Sequence, residues 1–130
     1  MIYALDTNTL SYAAREKGGV AERLRRIGPA KLALPSMVVF ETRFGLLRMG
    51  RLRQLEAFEA IRGAMQQIDF DAEAAEHAAR IRLHLESAGT PIGLADLLIA
   101  ATARRHGCTL VTHNTREFAR VDGLLIEDWY

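Results

Sequence analysis

The chain predicts a three-layer α/β domain with a central, mostly parallel β-sheet flanked by helices, on three observations. Short strand-like stretches, mostly apolar or, at residues 67–70, alternating apolar and polar, recur at residues 2–5, 31–34, 67–70, 109–112 and 124–126. Between most of them lie segments of helical periodicity, the crossovers that parallel strands need. The 130 residues are 49% hydrophobic, enough for one continuous core and too short for two domains, so a single domain over residues 1–130 is expected.

The elements follow in order. Ile2-Tyr3-Ala4-Leu5 is apolar throughout and reads as a buried strand, ending at Asp6. A short helix is expected over residues 11–17, before Gly18-Gly19, with Asn8 or Thr9 as its N-cap and Asp6 as a turn former before it; a second covers residues 20–27, closed by Gly28-Pro29. Pro35-Ser36 opens a helix whose Met37, Phe40, Phe44 and Leu47 share one face, with Glu41 on its flank. Met49-Gly50-Arg51 interrupts it, and Leu52, Leu55, Phe58, Ile61 and Met65 trace the second arm of an αα-hairpin. Phe40, Phe44 and Phe58 are expected in the core or at the hairpin interface. Ile68 and Phe70 alternate with polar neighbours, then Asp71 caps a helix to about Ser87, ended by Gly89-Thr90-Pro91. Residues 94–106 are apolar nearly all round, as in a central helix, and Gly107 stops them. A helical turn over residues 115–119 separates the last two strands.

Composition narrows the function. A net charge of +1 with 25% charged residues gives no strong overall field, so contact with nucleic acid must come from a local patch. Cys108 stands alone and cannot form an internal disulfide; it reads as a small buried apolar residue. No window resembles a signal sequence or a membrane span, and a cytoplasmic protein is expected.

Three acids stand where acids are unusual: Asp6 at a strand end, Glu41 and Asp96 within mostly apolar helices. Each alone has an ordinary explanation. Asp6 forms a turn, Glu41 has Arg43 and Arg48 nearby, and Asp96 complements the positive end of a helix. Together they say more, because a parallel sheet brings strand ends and following helix starts to one edge, where α/β proteins bind ligands. Converging carboxylates repel unless a divalent cation neutralises them, and oxygen-only ligands favour Mg²⁺ or Mn²⁺ over zinc. Thr112-His113-Asn114-Thr115-Arg116-Glu117-Phe118 begins where a late strand ends and should reach the same edge.

Taken in order, Leu5-Asp6-Thr7-Asn8, Glu41, residues 90–101 around Asp96, residues 112–118, and residues 121–129 resemble the PIN-domain endoribonucleases, more narrowly the toxins of VapBC toxin–antitoxin modules. The resemblance implies a PIN-like α/β fold and metal-assisted hydrolysis of RNA phosphodiesters, with tRNA-like RNA a fitting substrate. It implies Asp6, Glu41 and Asp96 as catalytic acids and Mg²⁺ ligands. A fourth acid of the family falls at Asn114, which carries no charge, leaving Glu117 to take part of that role. Thr7, Asn8, Arg43, His113 and Arg116 become substrate contacts. The implied partners are a VapB-type antitoxin, docked on the hairpin, operator DNA reached only through that antitoxin, and a second copy in a homodimer.

Rival readings have less support. A phospho-accepting Asp6 of the haloacid-dehalogenase kind needs an acid at position 8, where Asn8 stands, and a late lysine, whereas only Lys17 and Lys31 exist. His77 and His84 read as a solvated helix face. A non-catalytic PIN-like module that joins an antitoxin in operator binding is the strongest alternative, but a scaffold has no use for three gathered acids.

Overall fold

The computed structural model describes all 130 residues. Five strands form one sheet: β1 (Tyr3–Leu5), β2 (Leu32–Pro35), β3 (Gln66–Ile68), β4 (Thr109–Val111) and β5 (Ile126–Glu127). Their order is β3-β2-β1-β4-β5 and every pairing is parallel. The register aligns Ala4 with Ala33 on one side and with Leu110 on the other. A sheet covered on both faces needs strands that are apolar throughout. Accordingly Ala4, Leu5, Ala33, Leu34, Leu110 and Val111 are all within 1% of complete burial.

Helices α1 (Thr7–Ala14) and α2 (Val20–Ile27) and a 3₁₀ turn (Pro29–Lys31) join β1 to β2. The hairpin α3 (Ser36–Arg48) and α4 (Leu52–Ala64) joins β2 to β3, and α5 (Ala72–Ser87) with α6 (Leu94–Arg105) crosses back to β4. A single turn, α7 (Thr115–Phe118), precedes β5. The path along the sheet reverses after β3, so the right-handed crossover rule puts the α5/α6 pair on the face opposite α1 and α2. The reversal leaves a crevice between the carboxyl ends of β1 and β4, where open α/β sheets take their ligands.

Several expectations meet the structure directly. Asp71 caps α5, its Oδ1 accepting from the Ala74 amide at 2.8 Å. Burial of its carboxyl is outweighed by that bond, the first cause, and by Arg105 and His106 nearby, so its pKa falls below the ordinary value. Cys108 is buried, and burial raises its thiol pKa. Others need correction. The first helix runs over Thr7–Ala14, not residues 11–17, because Asp6 itself is the N-cap and not a turn former before Asn8 or Thr9. Its Oδ1 accepts from the Thr9 amide at 2.9 Å. The last strand lies at Ile126–Glu127 rather than 124–126. His77 is not merely solvated, since its Nδ1 accepts from Arg104 Nε at 2.9 Å.

The hairpin gives the largest departure. Phe58 is buried as expected, but Phe40, Phe44 and Leu47 are 61%, 54% and 52% exposed, so the apolar stripe of α3 faces solvent instead of core. Phe40 and Phe44 stack on each other at 6.3 Å, and Leu52 and Ile61 of α4 add to the exposed apolar surface.

Gly18 fixes a close approach. Its φ is +64°, and a Cβ there would stand 2.9 Å from the Tyr130 Cα. Gly18→Ala is expected to destabilise the fold by about 1–3 kcal/mol, from backbone strain and overlap combined. Urea unfolding checks this, and a midpoint unchanged from wild type refutes it.

Candidate active site

The crevice between β1 and β4 is built by backbone first. The Asp6 amide donates to the Val111 carbonyl at 3.2 Å, continuing the β1–β4 ladder one residue beyond the strand. The Thr9 hydroxyl donates to the same carbonyl at 3.0 Å and ties α1 to β4. The buried Asp6 is thereby held at the mouth of the crevice, one carboxylate oxygen committed to the Thr9 amide and the other without a protein donor.

Glu41 reaches the same edge because α3 starts directly at the carboxyl end of β2 and position 41 is five residues in, about 7–8 Å along the axis. Its Oε1 accepts from the Thr7 hydroxyl at 2.6 Å, which orients it across the crevice from α1. Asp96 is the third residue of α6. An acid there ordinarily caps amides and is stabilised in its charged form. Asp96 does the reverse. No side-chain cap closes this helix, and the pKa of Asp96 is pushed up to about 6 by burial first, then by the charges of Glu117, Asp6 and Glu41. Asp71 and Asp96 thus occupy comparable helix starts and titrate in opposite directions.

At the end of β4, the Thr112 hydroxyl accepts from the Asn114 amide at 3.0 Å, shaping the turn into α7. The Asn114 side-chain amide donates to Glu117 Oε2 at 3.0 Å, so Asn114 orients the acid whose charge acts on Asp96. Four acids therefore share the crevice. They differ from the rest of the molecule in one respect: Asp6, Glu41, Asp96 and Glu117 have no Arg, Lys or His nitrogen within 4.0 Å. Every other acid except Glu56 and Asp69 has one.

The carboxylates do not close into a preformed coordination shell. They are near enough to raise the pKa of Asp96, and each keeps an oxygen without a protein donor, which fits a hard, oxygen-seeking divalent cation.

The other sequence candidates scatter. Asn8 is exposed in the first turn of α1. Arg43 turns away from the crevice to Glu59, which it shares with Arg62 across the hairpin. The two arginines outweigh burial and lower the Glu59 pKa. His113 hydrogen-bonds Asp128 Oδ2 through Nδ1 at 2.9 Å. Arg116 is exposed on α7 with no acid within 4.0 Å. Sequence reasoning offered Thr9 only as an alternative N-cap and missed its bond to Val111, which spans most of the chain and leaves no local signature. It also passed over the pairing of Asn114 with Glu117, which their three-residue separation on a helical turn does signal.

Comparison with known proteins identifies the family. Residues 3–124 match the PIN domain family. The chain is 34% identical to the tRNA(fMet)-specific endonuclease VapC of Shigella flexneri over 98% of this chain and 97% of that one. Its fold superposes on VapBC2 from Rickettsia felis, in a complex with a promoter DNA fragment, with a TM-score of 0.89, 30% identity and full coverage of both chains. DNA-bound VapBC from Salmonella typhimurium gives 0.90 at 31% identity, covering 100% of this chain and 99% of that one. A PIN-domain match over nearly the whole chain, with VapC relatives of the same length and fold, makes this chain a member of the PIN-domain family in its VapC ribonuclease branch.

Proposed function

We propose that this protein is a Mg²⁺-dependent endoribonuclease toxin of a type II toxin–antitoxin system, with residues 1–130 acting as one PIN domain. The observation that carries the reading is the unpaired acid cluster, in which Asp96 is pushed up to about 6 by burial and by three neighbouring carboxylates. A fold maintains uncompensated charge at a cost, and perturbed carboxylates in a cleft mark functional sites.

Asp6, Asp96 and Glu41 would hold the cation, with Mn²⁺ able to substitute for Mg²⁺, and Glu117 completes the negative cluster. A bound Mg²⁺ supplies neutralisation of charge on the phosphate and acidification of an attacking water. The protein supplies position: the Thr9 amide fixes Asp6, the Thr7 hydroxyl fixes Glu41, and the Asn114 amide fixes Glu117. Arg116, exposed and free of acid partners, would meet substrate phosphate, with Asn8 a weaker contact. Structured RNA of the tRNA class is the substrate, on the strength of the tRNA(fMet)-specific relative.

Partners follow the relatives solved as complexes. A VapB-type antitoxin inhibits the enzyme and carries it to operator DNA, and its apolar segment covers Phe40, Phe44, Leu47 and Leu52, too much exposed apolar surface to leave bare. The toxin pairs as a homodimer through its early helices. No helix is long and apolar enough to cross a membrane, and action on RNA places the protein in the cytoplasm.

Purified chain is expected to cleave total RNA with Mg²⁺, and to stop when EDTA is added. Asp6→Ala should lower the rate on the order of a thousandfold, equivalent to about 4 kcal/mol of barrier. Cleavage that persists in EDTA removes the metal from the reading. A wild type that cuts no RNA, while it and Asp6→Ala bind antitoxin equally, identifies a binding module instead.

A further inference from the structure

Beyond the turn that orients Glu117 lies a set of rings, of which only His113 has so far been offered as a substrate contact. His113 lies between Thr112 and Asn114 at the carboxyl end of β4, one residue before the Asn114 whose side chain orients Glu117. Its ring stacks on that of Tyr130, with centroids 4.3 Å apart and planes 22° from parallel. Tyr12 of α1 meets His113 edge-on at 5.9 Å and Tyr130 at 4.8 Å. Tyr130 is backed by Gly18, where the missing Cβ makes room for it. The imidazole is also fixed in rotation, because Nδ1 bonds Asp128 Oδ2 while Asp128 Oδ1 accepts from the Tyr130 amide at 3.0 Å. At the far end, the Arg15 guanidinium stands 5.7 Å from the centre of the Tyr12 ring with no acid within 4.0 Å.

Rings packed into a core are mostly buried. Here the His113 side chain is 46% exposed and Tyr130 49%, although both are held in one orientation. Tyr130 covers one face of the imidazole. A rigid, half-exposed ring with a basic group farther along the same surface is the arrangement that unstacked nucleotides bind: the base on the ring, the phosphate on the guanidinium.

We propose that His113, supported by Tyr130 and Tyr12, is a stacking platform for a nucleobase flanking the scissile phosphate, with Arg15 engaging a phosphate farther along the strand. The inference rests on the ribonuclease reading above and adds the residues that position its substrate.

The test measures binding of a labelled single-stranded RNA oligonucleotide, and of the same ribose-phosphate chain lacking bases, to the full-length protein in EDTA. His113→Leu is expected to bind the RNA about tenfold more weakly, the scale of one lost base–aromatic stack. His113→Phe, which keeps an aromatic face but loses the bond to Asp128, should stay within about twofold of wild type, and all three should bind the base-free chain alike. Arg15→Gln should weaken both ligands equally, since it touches only phosphate. Equal RNA binding by His113→Leu and His113→Phe overturns the platform. So does a loss in His113→Leu that is as large for the base-free chain. A wild type that neither binds nor cleaves RNA overturns the ribonuclease reading itself, and that result appears before any variant is compared.

Discussion

Asp96→Asn is expected to abolish RNA cleavage while making the metal-free protein more stable at neutral pH. The loss should be on the order of a thousandfold or more, because an amide can neither contribute the charge that binds a cation nor be replaced by Glu41 or Glu117 at the same point. The gain in stability has the same origin. At neutral pH the Asp96 carboxylate is ionised among Glu117, Asp6 and Glu41 in a half-buried crevice, and the isosteric amide removes both the repulsion and the desolvation of charge. After allowance for solvent around a half-exposed group, the expected gain is about 1–2 kcal/mol, or roughly 3–8 °C in Tm for a chain of this size. A variant that is inactive and also less stable than wild type would mean that Asp96 holds the fold together and not a ligand.

The pH dependence has a definite sign. In the folded chain the Asp96 pKa is about 6, against 3.8 in the unfolded one, so the folded state binds the proton more tightly. Its contribution to stability is fully present below pH 3.8, declines as pH rises through 6, and stays low above that. Metal-free wild type should therefore lose stability relative to Asp96→Asn between about pH 4 and 6, and Mg²⁺ should restore it above pH 6 in wild type alone. Thermal melts across this range with Mg²⁺ and with EDTA measure it directly, and parallel curves for the two proteins would exclude the mechanism.

The layers of the fold and three of the crevice acids are legible from local pattern, because all-apolar strands, an acid at a strand end (Asp6) and acids inside apolar helices (Glu41, Asp96) contrast with their immediate neighbours. Glu117, on its polar turn, does not. What is not legible is set by contacts distant in the chain. Asp6, Asn8 and Thr9 are all competent N-caps, and the choice of Asp6 follows from the ladder bond between its amide and Val111, more than a hundred residues away. The stripe of Phe40, Phe44 and Leu47 has the period of a buried face, but periodicity identifies the apolar side of a helix and not what covers it. Nothing within this chain covers it. Arg43 looks available to a substrate in one dimension and is bound to Glu59 only once the hairpin folds back. The strand order, with β1 between β2 and β4, likewise depends on which crossover reverses direction, a property no window of sequence contains. The rings of Tyr12, His113 and Tyr130, far apart in sequence, meet for the same reason.

Phe118→Ala should be the most damaging single substitution for stability and should reach the site through one residue. Helix α7 is a single turn of four residues, far below the length at which a helix sustains itself, so its shape depends on what anchors it. The anchor is Phe118, fully buried in the main core. Truncation to alanine leaves a cavity and is expected to cost about 3–5 kcal/mol, a large part of the roughly 5–15 kcal/mol that stabilises a domain of this kind. Phe118→Leu fills most of the space and should cost closer to about 1–2 kcal/mol. Urea unfolding separates the two, and a Phe118→Ala midpoint close to that of Phe118→Leu would show that the turn is held by something else. The link to the crevice is immediate, since Glu117 precedes the anchor and Asn114, three residues earlier, orients Glu117. Loosening α7 frees the acid that contributes most, after burial, to the raised pKa of Asp96. Phe118→Ala that remains folded should therefore show an Asp96 pKa closer to the ordinary carboxylate value than wild type. NMR titration of the Asp96 carboxyl reads that shift, and an unchanged pKa in the folded variant would mean that Glu117 keeps its place without the anchor.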